Sequence, residues 1–419
     1  MRSSRLCLRA CAMFVAMSFV AACGSGGGTT TLPPPIPPPV TPPTSGSEFY
    51  YQWGLNGIGT STLNSSTGAA TEPSYAEARF SPQPETSTPQ ATPSGRFLYI
   101  GGNVYDSTCE GVETGIVGFY LAGPGATLTP MPNVPYVTGN ETQQTLTSGL
   151  QIDHAGKYLF YSVVESTAAA PGQASQAGVI YAFAIGSTGE LTLQSRLVTQ
   201  YGSGVGASAV DPLGRYVYFD VDTGDGPGVA VISVNSETGA LSEVAGSPFV
   251  PTKTGPSADY GLDLVADPSG KFLYALQQTP DPNTSTVVSF SIDPNSGALD
   301  PVAGSPFPVA QNLESLPSWI ELSPSGQFLY VVESGGISVF DVNGNAGTIG
   351  PQPVSTQQTQ VDRIAIDPTG AVLAGSQFAT QTLITFTIDP GTGSLTPGSG
   401  SPVPSIVGFT GIPQIALIP

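Results

Sequence analysis

Residues 267–276 read DPSGKFLYAL, and residues 323–332 read SPSGQFLYVV. Looser copies stand at 92–101 (TPSGRFLYIG), 153–162 (DHAGKYLFYS), 211–220 (DPLGRYVYFD) and 367–376 (DPTGAVLAGS). Each joins Asp, Ser or Thr, usually followed by Pro, to a Gly suited to a tight turn. It then runs into an apolar stretch, rich in aromatics in all but the last copy. With the alternating residues ahead of it, the phrase reads as strand, turn, strand. A second phrase is an alternating strand, a Ser/Thr-Gly turn, then Leu and a weak strand, as in NSGALDPVAGSPF at 295–307. It recurs around Gly68, Gly125, Gly189, Gly239, Gly297, Gly347 and Gly393.

Together the two phrases supply four short antiparallel strands per period of roughly 45–60 residues, the size of a β-propeller blade. No stretch carries a helical period. Seven copies of the second phrase stand against six of the first, and the chain ends on PQIALIP, residues 413–419, the run-up to a missing copy. FYYQWGL (49–55), GIGTSTLNSSTG (57–68) and AATEP (69–73) have the character of the outer strands of one blade. The expectation is an all-β, seven-bladed β-propeller over 48–419, its ring closed by the C-terminal strand joining the N-terminal half-blade. Closure would remove the open sheet edges of an unclosed array. A β-sandwich pair or a β-helix would not account for complementary half-blades at the two termini.

Ahead of the repeats, Arg2, Arg5 and Arg9 precede an apolar run from Ala10 to Ala22, too short for a comfortable membrane span. Residues 1–22 read as a secretory signal. Val20-Ala21-Ala22-Cys23 resembles a bacterial lipobox, which makes Cys23 the expected lipidation site. Residues 23–47 continue as a Gly/Ser start and a Pro-rich rod; residues 33–43 in polyproline II would hold a domain roughly 30–35 Å off the bilayer. The expectation is a protein carried across the inner membrane and held at the outer membrane or cell surface by lipid alone.

Cys109 is then the only thiol left in the folded part, so no intramolecular disulfide forms there. Loss of the three leader arginines leaves eight Lys and Arg against thirty acids, a formal −22. Such a surface repels nucleic acid and anionic lipid.

These repeats resemble the seven-bladed lactonase family, the propellers that include bacterial 6-phosphogluconolactonases, and related surface propellers of YVTN-repeat type. The likeness spans nearly all of 48–419 and is carried by blade phrases, including AGSPF at 245–249 and 303–307. The resemblance implies lactone chemistry served by His or Arg just before innermost strands, six residues ahead of the turn Pro. Those positions here are Ser87, Ser148, Gly206, Leu262, Ser318, Asp362 and Pro413, none of them His or Arg.

The only histidine, His154, stands in the turn itself, where the other copies have Pro, and reads as a packed or solvated turn residue. Arg96, Lys157, Arg215 and Lys271 follow turn glycines, and Arg79, Arg196, Lys253 and Arg363 form no cluster in sequence for a phosphate. Asp220, Asp222 and Asp225 fall short of a calcium loop's spacing, so no metal and no cofactor are expected. A non-catalytic binding propeller, displayed on the envelope for a glycan, small molecule or protein, is therefore the leading expectation. A lactonase with a rearranged site is the alternative. Aligned five before the turn Pro, or before His154, the rim residues are Thr88, Gly149, Ala207, Asp263, Trp319, Arg363 and Gln414. Asp263, Trp319, Arg363 and Gln414 are the candidate ligand-binding residues, since a carboxylate, an aromatic platform and a guanidinium suit a sugar or a peptide.

Overall fold

The computed structural model describes residues 48–54, 57–71, 74–77, 87–106, 111–121, 128–132, 136–137, 147–167, 175–199, 201, 205–223, 227–250, 262–278, 284–311, 319–333, 335–404 and 415–418. Cys23 and the whole leader and tether, Cys109, Asp225 and Gln414 lie outside them.

The chain is an all-β propeller of four-stranded antiparallel blades. Seven sheets form among the described residues. Their innermost strands are Gln90–Ala91, Thr147–Ile152, Val205–Val210, Leu262–Ala266, Trp319–Leu322, Arg363–Ile366 and Ile415–Ile418. These touch one another in that order, and the last also touches the first. Ile415–Ile418 pairs antiparallel with Glu48–Gly54, setting Ile415 opposite Gln52 and Ile418 opposite Phe49.

The first phrase makes the turn between the first two strands of a blade. Asp267 accepts the Gly270 N–H on its carbonyl at 2.8 Å. Its carboxylate takes the N–H of Ser269 at 3.2 Å, and Gly270 adopts a φ of 68°. At position 323 a Ser hydroxyl caps the start of the next strand instead, accepting the Phe328 N–H at 3.0 Å. The AGSPF phrase also has a local task. Leu299–Pro301 and Phe307–Gln311 both pair with Thr284–Ile292, so the outermost strand is one strand broken in the middle. Ser305 fills the break, its hydroxyl accepting the Ser289 N–H at 3.0 Å.

The two phrases lock neighbouring blades together. Tyr99, Tyr161, Tyr218, Tyr274 and Tyr330, all from second strands, are fully buried between sheets. The Tyr99 hydroxyl donates to the carbonyl of Gly189, the second-phrase turn of the next blade, at 2.7 Å, and Tyr330 does the same to Gly393 at 3.0 Å. Thr385 donates to Gly68 at 2.5 Å, which ties the sixth sheet to the sheet built from the two chain ends. Satisfying such groups matters, because an orphaned one costs about 1–3 kcal/mol; the buried Tyr218 and Tyr274 hydroxyls find no hydrogen-bond partner among the described residues and close their interfaces by packing.

Candidate active site

Side chains alternate faces along a strand. In Trp319–Leu322, Ile320 and Leu322 are buried among neighbouring sheets while Trp319 and Glu321 remain partly open. The open positions of the innermost strands line an axial channel of about 860 Å³. Thr88, Gly149, Ala207, Asp263, Trp319 and Arg363 all line it. The alignment on the turn thus places six rim residues around the channel. Pro93, His154, Pro212 and Pro268 also line it, so the channel reaches from the rim to the turn face, with the exposed His154 at the turn mouth.

Three adjacent strands, Leu262–Ala266, Trp319–Leu322 and Arg363–Ile366, bring in the charged and aromatic groups. Asp263 accepts two backbone N–H groups, from Ile320 at 2.7 Å and Leu264 at 3.1 Å. Trp319 lies under the Arg363 guanidinium, whose carbon sits 4.5 Å from the ring centroid, within cation–π range. The Arg363 Nη1 also donates to the Asp362 carbonyl at 3.1 Å. Asp362 is fixed in turn by the Phe378 N–H, at 2.6 Å from its carboxylate.

Glu321 is the residue that reading the rim alone misses. It stands two residues after Trp319, on the same channel-facing side. Strand alternation in WIEL points to it, since a carboxylate there must face the channel or be buried without compensation.

Burial governs the electrostatics. Desolvation pushes Asp263 up to about 7, although its two N–H donors and the Arg363 charge pull the other way. Desolvation, with the nearby Asp263 charge adding to it, pushes Glu321 up to about 8. The Trp319 indole offsets part of that rise; its N–H is enclosed and forms no hydrogen bond of good geometry. Burial also lowers Arg363 from its ordinary value, while Asp263 and Asp362 oppose the change. Burial thus brings both carboxyls toward neutral pH while the Arg363 guanidinium stands beside them on the same wall.

Among the described residues, three other cations are engaged elsewhere. Arg215 forms a bidentate pair with Asp211 and donates to Gly270 of the next blade at 2.8 Å. Arg196 pairs with Glu165 at 2.5 Å, and the Lys157 ammonium donates to the Ser236 carbonyl at 2.5 Å. Among the described residues, no three His, Cys, Asp or Glu side chains gather to hold a metal ion.

This architecture matches known propellers. Residues 305–409 match the family model of the seven-bladed β-propeller lactonases, so the resemblance to that family is shown there. A proposed 6-phosphogluconolactonase of Bacteroides fragilis superposes with a TM-score of 0.64 at 21% identity, covering 90% of this chain and 100% of its own. The periplasmic gluconolactonase PpgL of Pseudomonas aeruginosa superposes with a TM-score of 0.62 at 18% identity, covering 89% and 99%. At such identities the likeness is one of fold. No curated protein matches the sequence.

Proposed function

We propose that the protein hydrolyses a cyclic ester, a lactone, in its axial channel, with Asp263, Glu321 and Arg363 as the working groups. The observation that carries this reading is the placement of two carboxyls, Asp263 and Glu321, on neighbouring innermost strands of one channel wall beside the Arg363 guanidinium, where burial pushes both carboxyls up toward neutral pH. A general base and a general acid work best when their pKa values lie near the operating pH. Carboxyls strongly shifted by burial, next to a specific charged partner in a cleft, are candidates for acid–base work.

In this mechanism Asp263, ionised first, takes a proton from water as the water oxygen bonds to the lactone carbonyl carbon. Arg363 faces the oxyanion that develops, where a fixed charge in a poorly solvated site stabilises most. Collapse breaks the ring C–O bond, and Glu321 gives its proton to the departing alkoxide. The product is an open-chain hydroxy acid. The lactonase match over 305–409 covers the strands of Trp319 and Arg363 and supports this reading above a purely binding role. The His and Arg positions that the family resemblance implies are still not His or Arg, so the site is a rearranged one.

We read the seven sheets as one ring of seven blades, closed by the Ile415–Ile418 strand. We also place the enzyme at the envelope, anchored through Cys23, and Cys23→Ser followed by fractionation tests that: the variant should leave the membrane. The activity itself is tested with the full chain and a panel of lactones in a pH-stat, which follows the acid released. Turnover abolished by Asp263→Asn supports the reading. Absence of turnover on every sugar and aliphatic lactone would sink it.

A further inference from the structure

We infer that the wall opposite the carboxylates is a hydroxyl-reading subsite, formed by Gln90, Gln151 and Thr88, which selects an uncharged polyhydroxylated ring over its phosphorylated counterpart. The inference rests on the lactonase reading for its chemistry, and on the channel's own composition for its specificity.

The register of the turns gives the geometry. Three residues ahead of the turn Pro, or of His154, stand Gln90, Gln151, Ala209, Val265, Glu321 and Ala365. Gln90, Gln151 and Glu321 therefore sit at one depth and line the same channel. Around the ring of touching innermost strands, the strand of Glu321 lies three steps from that of Gln90 in one direction and three from that of Gln151 in the other. In a ring of seven this is as far across as strands can be, so the two amides face Glu321 over the channel.

The Gln151 side chain is held, its Nε2 donating to the Ser208 carbonyl at 2.7 Å. That leaves Oε1 to accept from a ligand hydroxyl. Gln90 offers both a donor and an acceptor, and Thr88 lines the channel one tier nearer the rim.

Between them the wall is trimmed. Gly149 and Ala207 hold the rim tier and Ala209 the lower one, all on the channel. Packing requires the glycine, since a Cβ at Gly149 would come within 2.4 Å of the Ser208 hydroxyl oxygen, and in consequence no side chain at this position stands over the channel. Space lined by neutral amides and hydroxyls suits the hydroxyls of a sugar ring.

It does not suit a phosphate. Recognition of a phosphate dianion calls for convergent Arg or Lys donors. Apart from His154 at the turn mouth, Arg363 is the only basic residue on the described lining, against Asp153, Asp263 and Glu321. Arg363 is also already under the field of Asp263 and Asp362.

The test uses the full-length protein with three substrates, glucono-1,5-lactone, its 6-phosphate, and δ-valerolactone, together with calorimetric binding of gluconolactam, an uncharged ring whose amide resists hydrolysis. The expected result is kcat/KM at least 100-fold higher for the neutral sugar lactone than for the phosphate. Gln90→Ala and Gln151→Ala should each raise KM for the sugar lactone, and Kd for the lactam, about tenfold, from loss of one polar contact in an enclosed site. Turnover of δ-valerolactone should stay unchanged in both variants. Preference for the phosphate, or an equal loss on the sugar lactone and δ-valerolactone, overturns the subsite. If no lactone is turned over but the lactam binds and both glutamine variants weaken it, the hydrolase reading fails and the subsite stands.

Discussion

The two arcs of the channel wall carry opposite inventories. On the arc of Leu262–Ala266, Trp319–Leu322 and Arg363–Ile366 stand two acids, an indole and a guanidinium. On the arc of Gln90–Ala91, Thr147–Ile152 and Val205–Val210, the same tiers hold Thr88, Gly149 and Ala207, then Gln90, Gln151 and Ala209. Every position comes from the same strand of the same repeated blade, so the backbone does not create the difference. The repeat supplies equivalent sites, and substitution at two tiers divides them into a charged side and a small, neutral side, which under the proposed function are the reacting and the holding side. Function here is laid over a fold that says little about it.

The sharpest break in this comparison comes from removing the charge on the reactive side alone. Asp263→Asn should lower kcat by about 100-fold or more, the usual contribution of general base catalysis, with little change in KM. Glu321→Gln should act similarly on a substrate with a poor leaving group. If kcat survives both changes, the two arcs do not differ in chemistry. Filling the opposite arc should do the reverse. Ala207 is partly open on the channel, and Ala207→Leu would place three further carbons where the ligand is expected to sit. KM should rise about tenfold while kcat falls little, since uniform binding is what is lost. An unchanged KM would place the ligand elsewhere in the channel.

A third prediction separates the arcs by stability. Asp263 and Glu321 have folded values near 7 and 8, above their ordinary 3.8 and 4.5. The folded protein therefore binds more protons than the unfolded chain across that window. The stability this contributes is complete below about pH 4 and is lost as pH rises through 7 to 8. Glu321→Gln cannot ionise, so its Tm should fall less between pH 5 and pH 9 than the wild-type Tm does. Its Tm should exceed the wild type's at pH 9. Gln151→Ala, on the neutral arc, should leave the shape of the pH dependence as it is. Parallel wild-type and Glu321→Gln curves would mean that Glu321 is not held in its protonated form.

Much of this is legible in the residues alone. The turn phrases gave the blades, and counting back from the turn Pro put Asp263, Trp319 and Arg363 on one wall. That count works because a strand of fixed length separates turn from rim. Two things escaped. Glu321 lies at a channel-facing position, but attention to the rim stopped one tier short of it. The second is energetic: a carboxyl in a formally −19 chain looks like one of many solvated acids, and only packing reveals that burial pushes this pair toward neutral pH. The expectation of a binding propeller rested on missing His and Arg at a single register position. Arg363 stands one residue further on, where its guanidinium meets Trp319, and the hydrolytic alternative is the better supported.

The smallest expected effect concerns the far end of the channel. His154 takes the second position of a turn in which Gly156 donates to the Asp153 carbonyl at 2.8 Å, and Pro stands there in the copies at 93, 212, 268, 324 and 368. The second residue of such a turn favours Pro, whose ring presets φ and removes freedom from the unfolded chain. His154→Pro should therefore stabilise by about 0.4–1 kcal/mol. Because His154 is exposed at the turn mouth while the carboxylates stand tiers away on other strands, kcat and KM should not change. The measurement is a urea midpoint beside a lactone assay. A variant that is more stable but inactive would move the chemistry from the rim to the turn mouth, and with it the comparison between the two arcs would lose its meaning.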